Sequence, residues 1–471
     1  MPKHKSLRFL IMPNVANAYD QRMVKGLADG LNGIGHYGAA MPTPLSSVEI
    51  IKLCENFSID VVLQVNRIRD PDVPLPPHIR HISWYQDVYP ETLDGFSESF
   101  RDFDLLYALG DPEVLGINVE VPCFVGNLFT GVDPQTLTFT PRLSEQNIDF
   151  SLCAGLPAPV TPAPSPRLDM LWFLDNLIYS FPLIGRSRLI WLLRRMFFGK
   201  YIPVDYVPLA ILQVIQQVVD SFYRPLRGEL NIHKLAAAML DQAALYDDKL
   251  SAPTPKKPRL RKKRACAHIL TPYVTQRSTF RAKLLRYMTG HASIQTRGGI
   301  SPIAGAISYF SQSYPRLMDR VALVKLAERV SSSLELYGPG LELHEFARPY
   351  HKGVLTTQKD LLDVYARSKI NLSNNTHGLG LHSRTLECMA VGGFLFMHES
   401  PHDKTVGGML SSFEPGVHYG AYTPENFEDE ARRWLHDDAG RRQVGENAKR
   451  VIQERHCWRH RAQQIVDDLA R

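Results

Sequence analysis

The sequence of 471 residues lacks the features that would place it inside a membrane or in an oxidising compartment. It contains no run of about 18 apolar residues free of charge, so no transmembrane helix is predicted. Its six scattered cysteines include no C-x-x-C pair, which argues against a zinc site or a disulfide framework. The apolar run near the N-terminus is short, ends at Pro13-Asn14 and lacks a small-residue cleavage pattern. It is therefore interpreted as a β-strand and not as a signal peptide. We therefore expect a cytoplasmic protein.

The excess of positive over negative charge is concentrated in one segment. The formal net charge is +6, but PKKPRLRKKR (255–264) holds seven basic residues and no acidic one, which leaves the remainder near neutral. Such a segment is typical of a solvated loop, and it could also attract lipid headgroups or acidic glycans. No aromatic side chains are interleaved with these charges, so we do not expect a nucleic acid partner.

No internal repeat is evident, and the first part of the chain alternates short apolar strands with helices. RFLIMP (8–13) is a compact strand, residues 18–32 have helical spacing, and Ser46 or Ser47 with Glu49 forms a capping box for a second helix. Further strands follow, each bounded by Pro, Asp or Gly. This alternation predicts a parallel sheet covered on both faces, in an N-terminal Rossmann-like domain over residues 1–145.

A second α/β domain is predicted over residues 146–471. Its first strand, IDFSLC, is followed by a Pro-rich linker that can hold neither a helix nor a central strand. The α/β pattern resumes only with a helix at 315–330 and the strand LELYG. We therefore interpret residues 160–312 as a largely helical, basic insertion.

The stretch NLSNNTHGLGLHSRTLECMAVGGFLF (371–396) is the first candidate site. It contains a strand, a Gly-rich loop, a helix expected to begin near Ser383, and a second strand. In open α/β sheets, ligands bind outside the carboxyl ends of the strands. Gly378 and Gly380 permit the close backbone approach that an anion requires. Arg384 adds a positively charged guanidinium group, which is suited to binding phosphate. A tight turn is the structural alternative.

Glu387 lies in the same helix without a capping role. A capping box requires Ser or Thr three residues earlier, and position 384 is Arg. The residues around Glu387 are apolar, so its carboxylate is expected to be enclosed and to need partners. Paired ribose hydroxyls would satisfy it. The alternative is a favourable interaction with the helix dipole.

Three further residues are expected near the same crevice. Tyr337 and Gly338 end a strand there, and Tyr337 either stacks on a nucleotide base or belongs to the core. His382 either touches a phosphate or is an exposed loop residue.

The pattern YARSKINLSNN…RTLECMAVGGFLF, with a tail that ends in aromatic-x-x-Arg spacing at Trp458 and Arg461, resembles the C-terminal domain of CgeB-like (spore maturation protein-like) glycosyltransferases of the GT-B fold. The resemblance covers residues 315–470 almost continuously and is looser in the N-terminal half, at ISWYQDVYP (82–90). It implies an α/β fold with two Rossmann-like domains facing a cleft.

The resemblance also implies roles for particular residues. Glu387 would hold the ribose of a nucleotide sugar, and Arg384 with its loop would face the diphosphate. His377 stands in HGLGL where related enzymes carry a Glu that contacts the donor sugar. Asp87, directly after a strand of the first domain, is the candidate catalytic base, with a turn Asp as its alternative. The Asp-x-Asp of DPD (70–72) is interpreted as a turn, so no metal or other cofactor is expected.

The expected function is therefore transfer of a sugar from a nucleotide-sugar donor to a glycan, lipid or protein acceptor. A non-catalytic GT-B scaffold that keeps the donor pocket and a nucleotide-sugar epimerase are the alternatives. Residues 170–202 mix Trp, Phe and Leu with Arg and Lys, as helices on an anionic membrane surface do. Peripheral membrane contact through 168–202 and 255–264 is one interpretation, and packing on the protein is the other.

Overall fold

Six parallel strands form the first sheet of the computed structural model, which describes residues 6–69, 75–86, 99–112, 120–139, 146–157, 166–167, 169–170, 209–230, 235 and 309–471. The sheet has the order β2-β1-β3-β4-β5-β6. Its strands are β1 (Arg8–Met12), β2 (Tyr37–Ala40), β3 (Val61–Val65), β4 (Arg80–Tyr85), β5 (Leu105–Ala108) and β6 (Phe124–Asn127).

Two helices cover opposite faces of this sheet. Successive residues of a strand point to opposite faces, so each face of β1 presents its own apolar side chains to one helix. Helix α1 (Ala18–Gly33) packs on the face that carries Phe9 and Ile11. Helix α2 (Ser47–Phe57) packs on the face that carries Leu10 and Met12, and it begins with the predicted Ser46–Glu49 capping box. The first part of the chain is therefore the predicted doubly covered parallel sheet.

The second sheet also has six parallel strands, in the order β12-β11-β10-β7-β8-β9. Counted from its own first strand, this is the 3-2-1-4-5-6 order of dinucleotide-binding folds. The strands are β7 (Ile148–Cys153), β8 (Leu334–Tyr337), β9 (His351–Gly353), β10 (Ser368–Ser373), β11 (Leu395–His398) and β12 (Gly420–Tyr422). The predicted fold class, α/β with two Rossmann-like units facing a cleft, is confirmed.

Seven further α-helices of eight or more residues lie in the described part of the chain. They are α3 (Leu209–Phe222), α4 (Tyr314–Val330), α5 (Gln358–Arg367), α6 (Ser383–Ala390), α7 (Phe427–His436), α8 (Asp438–Arg455) and α9 (Trp458–Leu469). Helices α4 and α7 pack on one face of the second sheet, and α5 and α6 on the other. No helix among these residues is long and apolar enough to cross a bilayer.

Several predicted features fall mainly on residues that the structure does not describe. Of the predicted insertion at 160–312, only α3 and a few flanking residues are described. Residues 255–264, almost all of 168–202 and the candidate base Asp87 lie outside the described residues. The domain boundary at 145/146 and the extent of the insertion therefore stay predictions.

The C-terminal helix α9 returns to the first sheet. Trp458 and Ile465 belong to the core that Phe9 and Leu27 form, and the Tyr107 hydroxyl donates to Asp468 at 2.8 Å. Helix α9 can approach α1 closely because α1 has glycines at the contact, and a Cβ at Gly26 would lie 2.1 Å from the indole Nε1 of Trp458. The end of the chain thus ties the second unit to the first.

Replacement of Gly26 by Ala should destabilise the protein by about 1–3 kcal/mol, because the added methyl group overlaps the indole ring. Gly33 on the same helix is the matched control, since nothing lies within 4 Å of a Cβ built there. Thermal unfolding should show a lower midpoint for Gly26→Ala and an unchanged or slightly higher one for Gly33→Ala. Equal midpoints for the two variants would contradict the proposed packing of α9.

Candidate functional site

A crevice opens where the strand order of the second sheet reverses, between β7 and β10. At such a point the two following loops leave toward opposite faces of the sheet, which opens a binding site. Here the crevice holds a cavity of about 250 Å³, named the cleft cavity below. Gln86, Leu109 and Gly110 line it from the first sheet, and residues of loop 374–382 line it from the second. The cavity therefore lies between the two Rossmann-like units.

Three arginines, Arg316, Arg320 and Arg384, line the cleft cavity, and no carboxylate of the described residues does. Arg384 Nη1 donates to the Cys153 carbonyl at 2.9 Å, and Arg320 donates to the Gly155 carbonyl. Burial, with the nearby Arg384 and Arg316, lowers the pKa of Arg320 to about 9. Backbone carbonyls thus hold these guanidinium groups without neutralising them. An anionic ligand would relieve their repulsion.

The N-terminus of helix α6 adds a second source of positive potential. The helix begins at Ser383, as predicted, and its N-cap His382 forms no side-chain cap hydrogen bond. Amide groups of a first helical turn have no partner within the helix, and they favour anions. His382 and Arg384, at the start of α6, both line the cleft cavity. The helix dipole and the arginines therefore act at the same place.

The two glycines of the loop have packing reasons for lacking a side chain. Gly378 has a φ of +80°, and a Cβ there would lie 2.4 Å from the Gly228 carbonyl oxygen. A Cβ at Gly380 would lie 2.5 Å from Met409 Cγ. Close protein contacts thus account for both glycines, and their predicted contact with an anion stays a prediction.

The two histidines of the loop are neutral at physiological pH. Burial first, and Arg316 second, lower the pKa of His377 to about 3. Its Nε2 accepts from Arg316 Nη2 at 3.3 Å. Burial, followed by Arg384, Arg320 and Arg316, lowers the pKa of His382 to about 3. Both side chains line the cleft cavity as uncharged groups, and His377 holds Arg316 in place.

Glu387 lines a smaller cavity of about 20 Å³, which Ser383 at the start of α6 also lines. It is only 6% exposed, which agrees with the predicted enclosure. Its Oε1 accepts from Arg22 Nη2 of α1 and from Gln358 Nε2 of α5, each at 3.2 Å. Burial raises the pKa of the Glu387 carboxyl group, and Arg22 opposes this. The required partners are therefore two side chains, one of them from the first unit, and the ribose role stays a prediction.

Tyr337 and Gly338 pack beside the loop that follows β7 and do not line the cleft cavity. The Tyr337 hydroxyl donates to Glu335, and burial, with Glu335, raises the pKa of Tyr337 to about 12. Gly338 has a φ of +148°, and a Cβ there would lie 2.5 Å from the Ala154 carbonyl oxygen. Both residues thus support the wall of the crevice. Base stacking by Tyr337 stays a prediction.

Across the described ranges, from residue 6 to 471 with their gaps, no group of three His, Cys, Asp or Glu side chains could hold a metal ion. The DPD turn of residues 70–72 lies outside these ranges. Gln86, the residue before Asp87, lines the cleft cavity from the first-sheet side. The predicted metal independence stays a prediction.

Comparison with known families supports a glycosyltransferase. Residues 319–467 match the family model described as glycosyl transferase-like, which is less than half of the chain. This segment begins within α4, ends within α9, and includes Arg320, Arg384 and Glu387. The glycosyltransferase class predicted from the sequence is thereby confirmed for this domain, whereas the CgeB-like subfamily is not. No curated protein matches the chain.

Solved structures of similar architecture cover nearly the whole chain at low similarity. A glycosyltransferase from Rickettsia africae ESF-5 is 10% identical over 99% of this chain and 98% of its own, with a TM-score of 0.42. Anabaena Alr3699/HepE, in complex with UDP and glucose, is 9% identical over 98% and 99%, with a TM-score of 0.45. Sucrose-phosphate synthase from Thermosynechococcus elongatus is 9% identical over 98% and 98%, with a TM-score of 0.39. Scores this low carry no conclusion about ligands.

Four residues that line the two cavities were not predicted from the sequence: Arg316, Arg320, Arg22 and Gln358. Arg316 and Arg320 stand four residues apart, so they share one face of α4, and this spacing was a usable signal. Arg22 had no such signal, because its partner Glu387 lies 365 residues further along the chain.

Lowering the pH from 7 to 4 should destabilise the protein. His377, His382 and His456 have pKa values lowered to about 3, and His81 one lowered to about 4, with burial as the main cause each time. Unfolded histidines bind a proton near pH 6.5, so in this window the unfolded chain holds more protons than the native one. Stability should therefore fall by about 1.4 kcal/mol per pH unit for each such histidine. Urea unfolding at several pH values measures this, and unchanged or rising stability below pH 6 would contradict it.

Proposed function

We propose that the protein transfers a sugar from a nucleoside diphosphate sugar to a glycan, lipid or protein acceptor in the cleft cavity. The observation that carries the proposal is the pair of guanidinium groups of Arg320 and Arg384. Backbone carbonyls hold both at the N-terminus of α6, in a cavity that no described carboxylate lines. Arginine forks bind phosphate oxygens with two parallel hydrogen bonds, which suits a diphosphate.

The same groups suit the chemistry of the transfer. As the bond between the sugar and the diphosphate breaks, negative charge grows on the departing phosphate oxygen. Fixed donors stabilise that charge more than the charge of the bound donor substrate, and so lower the barrier. Since Arg320, Arg384 and the helix dipole supply this stabilisation, we propose that the reaction needs no metal ion.

The acceptor hydroxyl must lose its proton as it attacks the sugar. Asp87 is the proposed base, because it directly follows Gln86, which lines the cleft cavity opposite the arginines. A base on the first-sheet side would face the sugar from across the cleft.

The nucleoside is proposed to lie toward Glu387. The ribose hydroxyls would donate to the Glu387 carboxylate, which at present accepts hydrogen bonds from Arg22 and Gln358. The diphosphate would then extend past the start of α6 to Arg384 and Arg320. Tyr337, at the end of β8, is proposed to stack on the base, and Gly338, Gly378 and Gly380 to allow the backbone to approach the donor. The CgeB-like subfamily belongs to the same proposal.

A non-catalytic donor-binding scaffold is the second candidate. His377 favours it, because a neutral ring stands where the resemblance places an acidic residue that contacts the donor sugar. Release of free nucleotide from UDP-, GDP- or dTDP-sugars separates the two candidates. Slow hydrolysis of a donor supports the enzyme, and tight nucleotide binding without any turnover supports the scaffold.

Arg320→Met and Arg384→Met should each weaken binding of the preferred nucleoside diphosphate about tenfold or more, because each removes charge-assisted hydrogen bonds. Calorimetric titration with UDP, GDP, dTDP and ADP identifies that nucleotide and measures the loss. Arg329→Met is the matched control, since Arg329 lies on α4 but pairs with Glu428 at the surface. An equal loss in the control, or none in the two variants, would rule out the cleft cavity as the diphosphate site.

We also propose peripheral contact with the cytoplasmic face of a membrane through residues 168–202 and 255–264. Wild-type protein should float with vesicles containing anionic lipid. A variant in which the seven basic residues of 255–264 are replaced by Gln should float less, because each basic residue near such a surface contributes about 1 kcal/mol. Flotation that is absent, or equal for both proteins and for neutral vesicles, would contradict the membrane proposal.

A further inference from the structure

Two neutral oxygen atoms hold the guanidinium group of Arg320 in the wall of the cleft cavity. Arg320 Nε donates to Asn374 Oδ1 at 3.2 Å, and Arg320 Nη1 donates to the Gly155 carbonyl. The five N–H groups of a guanidinium form a rigid planar fork, so bonds from two of its nitrogens fix the plane of the whole group. Asn374 also lines the cleft cavity. The direction of Arg320 in the cavity therefore depends on one amide side chain.

A second hydrogen bond sets the orientation of the Asn374 amide group. Its Nδ2 donates to Thr376 Oγ1 at 3.1 Å. An amide accepts at one end and donates at the other, so this bond turns Oδ1 toward Arg320. With the amide reversed, an NH₂ group would face a guanidinium group, which accepts no hydrogen bond. Asn374 is 9% exposed and Thr376 is 4% exposed, so little water competes for these bonds.

The anchor of Arg320 in the loop carries no charge, although a buried carboxylate stands next to Arg320 in the sequence. Asp319 Oδ1 accepts from the Tyr223 hydroxyl at 2.7 Å and from the Leu226 amide at 2.8 Å. Asp319 Oδ2 has no hydrogen-bond partner in the described part of the chain, so neither oxygen is bonded to Arg320. A carboxylate bonded to Arg320 would hold it equally well but would oppose its charge. The amide of Asn374 leaves that charge available to an anion.

We propose that Asn374 is a positioning residue for the donor diphosphate. Its amide oxygen fixes the direction of the Arg320 guanidinium group without neutralising it, and Thr376 holds the amide in the required orientation. This inference rests on the proposed function, since it assigns Arg320 to the diphosphate. It gives the polar side chains at the start of loop 374–382 a role that acts through the arginine.

Titration calorimetry with inorganic pyrophosphate tests this role without knowledge of the nucleotide base. Asn374→Leu removes both polar ends of the side chain and keeps a similar shape, and it should weaken pyrophosphate binding about three- to tenfold. In protein that already carries Arg320→Met, the same change should cost nothing further, because the arginine that Asn374 positions is gone. Asn447→Leu is the matched control and should leave the affinity unchanged. Asn447 of α8 also uses both ends of its amide, but outside the cleft cavity.

Asn374→Asp separates the charge of the anchor from its shape. This variant keeps the acceptor oxygen and the size of the side chain, but it places a negative charge beside Arg320. Pyrophosphate binding should weaken about tenfold or more, and by more than in Asn374→Leu, because the carboxylate competes with the anion for the arginine. Wild-type affinity in Asn374→Asp would overturn the proposal that a neutral anchor is required.

A pair of variants at Thr376 tests the same role if the Asn374 variants fail to fold. Thr376→Val should reproduce the loss seen in Asn374→Leu, and Thr376→Ser, which keeps the hydroxyl group, should bind like the wild type. Unchanged affinity in Asn374→Leu or Thr376→Val would overturn the positioning role. A loss from Asn374→Leu that persists in Arg320→Met protein would also overturn it, since Asn374 would then contact the ligand directly.

The variant Arg320→Met distinguishes failure of this inference from failure of the proposed function. If Arg320→Met weakens pyrophosphate binding and the Asn374 and Thr376 variants do not, the proposed function survives and only this inference fails. If Arg320→Met leaves binding unchanged, or pyrophosphate does not bind the wild type, the proposed diphosphate site fails and this inference fails with it.

Discussion

Two guanidinium groups held against backbone carbonyls are the feature on which the site depends. Arg384 is fixed to the Cys153 carbonyl and Arg320 to the Gly155 carbonyl, so both are attached to the chain that leaves β7. Neither anchor carries a charge that would cancel the arginine. The strand order places that chain beside the start of α6, whose dipole has the same sign. An anion that enters meets donors that need no rearrangement, which is the condition for electrostatic catalysis.

The two sheets are tied together beside this site, where Arg22, Glu387 and Trp458 line the same small cavity. Arg22 of the first unit bonds Glu387 of the second, and α9 carries the end of the chain back to the first core. Because these contacts hold the two units together, residues of both units line the cleft cavity. Ribose binding at Glu387 would replace one of these ties, because the carboxylate would exchange Arg22 for hydroxyl groups. Donor binding of this kind would couple the presence of the donor to the relative position of the two units through the Arg22–Glu387 ion pair.

Local patterns predicted most of the fold, and pairings distant in sequence account for what they missed. The apolar strands β1, β3, β4 and β7 and the start of α6 follow directly from periodicity and composition. Strand β2 (YGAA) and the three-residue β12 (GAY) have too few apolar residues to be recognised. In the site, the enclosure of Glu387 and the placement of Arg384 were predictable from neighbouring residues. The bond from Arg22 and the packing of Gly228 on Gly378 were not, because each depends on how distant segments meet.

A crystal structure with the preferred nucleoside diphosphate tests the central claim most directly. The account predicts the diphosphate in the cleft cavity, within hydrogen-bond distance of Arg320, Arg384 and the first-turn amides of α6. It also predicts ribose hydroxyls on Glu387, with Arg22 displaced. A nucleotide bound elsewhere, or bound in the cleft with its phosphates turned away from both arginines, would contradict the account.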